Sequence, residues 1–249
     1  MPRLMFQRPR RIEWEEINPR FGRIVAEPFE KGYALTIGHS LRRVLLSVVP
    51  GAAITWVRLD GVGRDATRVP GVREDRMTLL LNLKRTVVRL HDDRPATVRL
   101  DVAGPRSVTA GDLTSAGVEV MNPELELATL EARGRLGLEA GVRVGRGYVS
   151  AERHGEALPP GAVALDAAFS PIQRVNYLVE MSRLGKITDY EKLVVEIGTN
   201  GSIAPDQAFL RAARVLRDHF DLFTPAGAEE EDEEGSVGST VSGEASTPA

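Results

Sequence analysis

Groups able to do chemistry are present in this sequence, but their spacing forms no catalytic or metal-binding motif. Cysteine is absent, which excludes disulfides, thiolate metal ligands and cysteine nucleophiles. No histidine stands in a His-x-x-x-His or His-Glu-x-x-His pattern on a predicted helix. We therefore predict no metal site and expect surface or helix-capping roles for all four histidines, which are His39, His91, His154 and His219.

Two other patterns that could indicate a functional site also have simpler interpretations. Gly145-Arg146-Gly147 is not followed by Gly-Lys-Ser/Thr, so a turn between strands is favoured over a phosphate cradle. Glu74 and Asp75 lie among arginines, which is typical of a solvated face, whereas a general acid or base needs a desolvated partner. No Gly-x-Ser-x-Gly elbow occurs. We predict no catalytic residue and no cofactor.

Apolar helical faces are the strongest signals in the chain. Pro205 suits a first helical turn, and an apolar stripe predicts a helix over residues 205–223. A second helix is predicted over residues 40–49, ending at Pro50-Gly51. Arg42 and Arg43 are adjacent there and point about 100° apart, so they cannot both face one core. The two stripes are Phe209, Ala212, Ala213, Leu216, Phe220 and Phe223, and Leu41, Val44, Leu45 and Val48.

Most of the remaining chain predicts strands. Residues 98–102 and 175–179 alternate apolar and polar side chains. Residues 193–197, followed by Asn200-Gly201, indicate a strand that enters a hairpin turn. Because the strands do not alternate regularly with helices, the pattern favours an α+β fold.

Composition limits the classes of protein further. The chain has 249 residues, 42% of them hydrophobic, and a net charge of -3. The longest charge-free apolar stretch, residues 44–57, is too short for a bilayer, which needs about 20 residues, and no signal peptide is present, so a cytoplasmic protein is expected. Seven of the 35 acidic residues follow Pro225, where lysine and arginine are absent. Residues 229–249 therefore predict a disordered acidic, Gly/Ser-containing linker or tail.

A series of short motifs resembles the N-terminal domain of the bacterial RNA polymerase alpha subunit. Each motif is weak alone, but their joint order from about residue 12 to residue 224 is specific. They are Glu27-Pro28-Phe29-Glu30-Lys31-Gly32-Tyr33, Leu35 to Ser47, Pro70-Gly71-Val72-Arg73-Glu74-Asp75, Leu81-Asn82-Leu83-Lys84, Met121-Asn122-Pro123, Arg146-Gly147-Tyr148-Val149, Phe169-Ser170-Pro171 and Thr199-Asn200-Gly201.

The resemblance implies two subdomains and a homodimer. Residues 1–50 and 166–228 would form a discontinuous dimerisation subdomain, with a mainly β subdomain, residues 51–165, inserted between them. Both apolar helix stripes would pack against their copies in the second subunit. Burying twelve large side chains at about 2 kcal/mol each would contribute more free energy than the 4 to 15 kcal/mol that association is estimated to cost.

The resemblance also implies surfaces for larger subunits. Arg43, with Arg42 beside it, corresponds to positions that hold the beta subunit, and a guanidinium can fork onto carboxylates or carbonyls. Positions linked to the beta-prime subunit are Lys84, Leu165, Asp166, Ser170 and Pro171. The expected role is a non-catalytic scaffold in a nucleotidyltransferase complex at the nucleoid, with omega and sigma in the holoenzyme, no membrane contact, and DNA contacted only through the complex or a C-terminal domain.

The chain departs from the resemblance at three places. His39 stands where the family has a helix-capping asparagine, and Ala204 replaces a capping aspartate, unless Ser202 substitutes. The sequence ends within what resembles the linker to a DNA-binding domain. A free-standing dimeric regulator with the same fold is therefore an alternative, and a carboxylate-based hydrolase is a weaker one.

Overall fold

The computed structural model describes residues 7–63, 66–113, 115–154, 158–184 and 187–224. The predicted tail, residues 229–249, lies outside these ranges. The helices are α1 (Tyr33–Val48), α2 (Arg76–Lys84) and α3 (Pro205–Phe220). The strands are β1 (Arg11–Ile17), β2 (Phe21–Glu30), β3 (Gly51–Leu59), β4 (Val88–Leu90), β5 (Ala96–Ala103), β6 (Arg106–Thr109), β7 (Val118–Val120), β8 (Glu126–Leu130), β9 (Arg135–Gly145), β10 (Tyr148–Val149), β11 (Val163–Ala164), β12 (Ala167–Ala168), β13 (Ile172–Leu184) and β14 (Ile187–Thr199).

The predicted helix at residues 40–49 exists but begins seven residues earlier, at Tyr33. Its buried stripe includes the small residues Ala34 and Gly38, which a search for large apolar side chains overlooks. A Cβ on Gly38 would lie 2.9 Å from the side chains of Leu193 and Tyr177, so the glycine allows the helix to approach the sheet closely. The capping role expected for His39 is wrong, because this residue lies inside the helix.

Helix α3 agrees with its prediction, and a 3₁₀ turn (Asp221–Phe223) continues it. Ala204 occupies the N-cap position without a side-chain hydrogen bond. Ser202 lies two residues before the N-cap position, and the hydrogen bond that its hydroxyl makes is donated to Oδ1 of Asn200 at 2.7 Å, so it does not replace the cap. The predicted hairpin at Asn200-Gly201 is wrong, because this turn leads from β14 into α3 rather than into another strand.

Strands from both ends of the chain form one antiparallel sheet, in the order β1-β2-β14-β13. Helices α1 and α3 pack against each other and against this sheet. Their core includes Ile24, Leu45, Val195, Ile197 and Ala212. The antiparallel pairing of β2 with β14 brings residues from the start and the end of the chain into the same core.

The central part of the chain forms a second sheet in the order β5-β9-β3-β4-β7, with β11 also paired to β3. Strands β6 and β8 form a separate pair, and β10 pairs with β12. Helix α2 packs near β3 and β8, and the second core includes Val57, Leu83, Leu127 and Leu138.

Helices and antiparallel sheets are segregated rather than regularly alternating, so the α+β prediction is confirmed. Among the described residues, no helix combines the length and apolar character needed to cross a bilayer.

Candidate subunit interfaces

Two of the residues predicted to contact a beta-prime subunit, Lys84 and Asp166, form an ion pair. Lys84 is the last residue of α2, and its Nζ lies 3.0 Å from Oδ2 of Asp166. Asp75 begins this helix by accepting a hydrogen bond from Thr78 N at 2.7 Å. The cap and the buried Leu83 orient the helix so that its C-terminal lysine reaches Asp166.

Two donors hold the Asp166 carboxylate. The backbone N–H of Ala151 donates to Oδ1 at 3.0 Å, and Lys84 Nζ donates to Oδ2 at 3.0 Å. The N–H of Ala151, followed by the Lys84 ammonium, stabilises the charged form, so the pKa of Asp166 lies below its ordinary value. The Asp166 side chain remains 37% exposed, which leaves room for a partner protein to bind it.

The other predicted residues at this site differ in accessibility. Leu165 is buried in the second core, that of the central part of the chain. Pro171 is also buried, and its carbonyl accepts a hydrogen bond from Asn200 N at 2.9 Å. Ser170 is half-buried. Lys84, Asp166 and Ser170 therefore provide the accessible polar atoms, whereas Leu165 and Pro171 determine where the segment lies.

Two glycines allow the chain at residues 169–171 to pack closely. A Cβ on Gly51 would overlap the carbonyl oxygen of Phe169, and one on Gly145 would lie 2.6 Å from the Phe169 ring. Phe169 itself is buried with Ala53 and Ala167. This packing connects the start of β3 and the end of β9 to the segment that carries Ser170 and Pro171.

Arg42 and Arg43 are both exposed on α1. As their angular spacing predicts, they do not face one core, and in the described part of the chain neither guanidinium has a hydrogen bond or salt bridge. Leu46 is 40% exposed and lies one turn farther along the same helix. Sequence reasoning missed Leu46, although the i, i+3 and i, i+4 spacing from the arginines places it on their side of the helix.

The ten residues predicted for the dimer interface fall into three groups. Leu41, Leu45 and Ala212 are buried within the chain itself. Phe220 and Phe223 are 63% and 83% exposed. The half-buried group comprises Val44, Val48, Phe209, Ala213 and Leu216.

Two of the half-buried group, Val44 and Val48, line a shallow cleft between α1 and α3. This cleft has a volume of about 190 Å³, and Val44, Val48 and Val215 are among the residues that line it. Leu222, at 81% exposure, adds to the apolar end of α3. Sequence reasoning missed Leu222, because the α-helical period places it about 200° around the helix from Phe220 and so off the predicted stripe.

The residues considered for chemistry have structural roles. His39, His91 and His219 are exposed, but His154 is only 9% exposed. A surface position is therefore wrong for His154, whereas the capping alternative is confirmed, because it is the C-cap residue of the 3₁₀ turn Ala151–Arg153. Gly147 has φ of 59° in the turn between β9 and β10, which confirms the turn prediction. Within the described ranges, no group of three or more His, Asp or Glu side chains is arranged to hold a metal ion.

Glu74 and Asp75 do not simply form a solvated face, because both carboxylates accept hydrogen bonds within the chain. Glu74 accepts hydrogen bonds from the backbone N–H and hydroxyl of Thr129, at 2.7 and 2.9 Å. Burial acts to raise the pKa of Glu74, but these hydrogen bonds outweigh it and the pKa lies below its ordinary value. Glu74 thus connects the segment before α2 to β8, and Asp75 caps α2.

The fold defines an α+β domain in which helices pack on antiparallel sheets. Residues 27–220 match the model of the RNA polymerase Rpb3/Rpb11 dimerisation domain. The chain belongs to the family of DNA-directed RNA polymerase alpha subunits, as its relatives show.

The DNA-directed RNA polymerase subunit alpha of Moorella thermoacetica is 47% identical over 222 residues, which cover 88% of this chain and 71% of the relative. The subunit from Symbiobacterium thermophilum is 48% identical over 205 residues, covering 82% of this chain and 65% of the relative. The subunit from Desulforamulus reducens is 46% identical over 215 residues, covering 85% and 68%. These names favour a polymerase subunit over a free-standing regulator.

Proposed function

We propose that this chain forms a homodimer that acts as a non-catalytic scaffold, on which the beta and beta-prime subunits of a bacterial RNA polymerase assemble. In this proposal residues 1–50 and 166–228 make the dimer, and residues 51–165 form the inserted subdomain. The complex works in the cytoplasm at the nucleoid, with omega and sigma in the holoenzyme, and this chain contacts DNA through the complex.

The observation that carries the proposal is the uncovered apolar end of α3. Phe220, Leu222 and Phe223 are all more than 60% exposed, and a contiguous patch of this kind marks an interaction site on a soluble protein. The apolar cleft between α1 and α3 lies on the same helix pair. A second copy that covers this surface would bury the half-buried residues Val44 and Val48 as well.

The magnitude of this burial is sufficient to influence dimerisation. Covering one phenylalanine side chain contributes about 2 kcal/mol. In a symmetric dimer each position is covered twice, so losing one phenylalanine per subunit removes about 4 kcal/mol, or roughly a thousandfold in Kd.

Two polar surfaces support the assignment of the larger partners. Arg43 and Arg42 have no internal partner among the described residues, so both guanidinium groups are available to the beta subunit. The Lys84–Asp166 pair presents a fixed positive and a fixed negative group on another part of the chain. Paired charges of opposite sign select a complementary pair on the beta-prime subunit.

The test is the oligomeric state together with recruitment of the large subunits. Sedimentation equilibrium of the full chain should show a dimer at micromolar concentration, and Phe220→Ser should shift it to monomer. Met77→Ser is a matched control, because Met77 is 64% exposed but lies on α2, away from α1 and α3. A monomeric wild-type chain, or equal dimerisation of both variants, would refute the proposed interface.

Recruitment is measured by co-expressing the tagged chain with beta and beta-prime and determining the amount of each that co-purifies. We expect both large subunits in the complex with the wild-type chain. Their absence from a chain that is properly folded and dimeric would contradict the scaffold role.

A further inference from the structure

His154 is a buried histidine that belongs to neither of the proposed polar docking pairs. Its Nε2 lies 2.7 Å from the carbonyl oxygen of Leu165. Because a carbonyl oxygen only accepts hydrogen bonds, Nε2 carries the hydrogen and the ring acts as the donor. This bond connects a side chain to the backbone directly before Asp166.

The short turn that ends at His154 donates hydrogen bonds to two successive residues, Leu165 and Asp166. At its start, Ala151 N donates to the Asp166 carboxylate at 3.0 Å. Three residues later, the His154 ring donates to the Leu165 carbonyl. The 3₁₀ conformation of Ala151–Arg153 sets the spacing of these two donors.

The same two residues are also held from the opposite side. Leu165 N donates to the carbonyl oxygen of Thr55 in β3 at 2.8 Å, and Lys84 Nζ contacts the Asp166 carboxylate at 3.0 Å. Leu165 is buried in the central core. The peptide before Asp166 therefore lies between β3 and the turn at Ala151–Arg153.

We propose that His154 is a positioning residue for docking of the beta-prime subunit, because it holds Leu165 and Asp166 so that the Lys84–Asp166 pair meets its partner in one geometry. This inference rests on the proposed function of that pair. Without the ring, the buried Leu165 carbonyl loses its hydrogen-bond donor. Leu165 and Asp166 then have to be ordered when the beta-prime subunit binds. Ordering on binding lowers affinity.

The experiment compares two substitutions of His154 in the full chain, co-expressed with beta and beta-prime. His154→Gln keeps an N–H donor at a similar distance from the backbone, whereas His154→Leu removes it. We expect His154→Leu to weaken beta-prime recruitment by about tenfold and His154→Gln to restore most of it. Dimerisation and beta recruitment should remain unchanged in both variants.

A stability control separates positioning from general destabilisation. Val98→Ala truncates a side chain of the same core on β5, which is away from the turn at Ala151–Arg153. If Val98→Ala lowers the melting temperature as much as His154→Leu does, it should still retain normal beta-prime recruitment. Equal loss of recruitment in Val98→Ala and His154→Leu would overturn the positioning role.

Lys84→Ala distinguishes failure of this inference from failure of the proposed docking pair. If Lys84→Ala leaves beta-prime recruitment unchanged, the docking pair is wrong and the inference fails with it. If Lys84→Ala weakens recruitment but His154→Leu does not, or His154→Gln fails to restore it, only the role of His154 is refuted.

Discussion

Lys84 Nζ and Asp166 Oδ2 lie 3.0 Å apart although 82 residues separate them in the chain. The lysine ends α2, and the aspartate follows the core residue Leu165. The pair joins a helix of the central part of the chain to the segment that leads into β12 and β13. It is therefore a structural connection as well as a candidate docking site.

Acidification should weaken this connection. Because the folded-state pKa of Asp166 is lowered, its charged form stabilises the fold above the unfolded pKa of about 4, and this contribution is lost as pH falls through the lower folded value. We expect Asp166→Asn to reduce stability at pH 7 and to differ less from wild type near pH 3. Urea unfolding at several pH values measures this.

Lys84→Ala provides the control background for the pH experiment. In this background the ammonium no longer contributes to the lowered pKa, but the Ala151 N–H still does. The effect of Asp166→Asn should therefore depend less on pH than in the wild-type chain. An unchanged pH dependence would show that Lys84 does not act on Asp166.

Arg43→Ala should abolish most recruitment of the beta subunit while the dimer survives. The Arg43 side chain is exposed and has no internal partner among the described residues, so its removal should change the free energy of unfolding by less than about 0.5 kcal/mol. Co-purification of beta measures recruitment, and sedimentation measures dimerisation. Arg42→Ala, the adjacent matched change, should have a smaller effect. Normal beta recruitment by Arg43→Ala would contradict the assigned role.

Gly51→Ala should destabilise the fold by about 1 to 3 kcal/mol, because the added methyl group overlaps the Phe169 carbonyl oxygen and the backbone has to shift. Thermal unfolding monitored by circular dichroism measures this. Gly63→Ala is the control, since its Cβ would meet nothing within 4 Å. A Gly51→Ala chain as stable as Gly63→Ala would show that the 169–171 segment moves freely.

Ala204→Asp should stabilise the chain by about 1 kcal/mol, or roughly 2 to 4 °C in Tm. Ala204 has the extended backbone of an N-cap residue but no acceptor side chain, and a carboxylate there can accept from the first turn of α3 and oppose the helix dipole. Differential scanning calorimetry provides the measurement. Ala204→Val, which lacks an acceptor, should give no gain, and equal Tm values for the two variants would refute the capping argument.

The hydrophobic periodicity of the sequence was sufficient to predict secondary structure where a segment is long and its pattern regular. The stripe from Phe209 to Phe220 predicted α3, and alternation at Val98 and Leu100 predicted β5. It was insufficient at α1, where Ala34 and Gly38 form part of the buried face. Small residues carry a weak hydrophobic signal, and only the neighbouring sheet shows why they are needed.

The sequence by itself determined the helical stripes, the α+β character and, through the order of its motifs, the family. Only the tertiary structure decided that Leu41 and Leu45 are internal, that Asn200-Gly201 turns into a helix, and that Lys84, His154 and Asp166 converge. Local patterns record the preferences of neighbouring residues, whereas these outcomes depend on contacts between distant segments, which form only when the sheets and helices pack together.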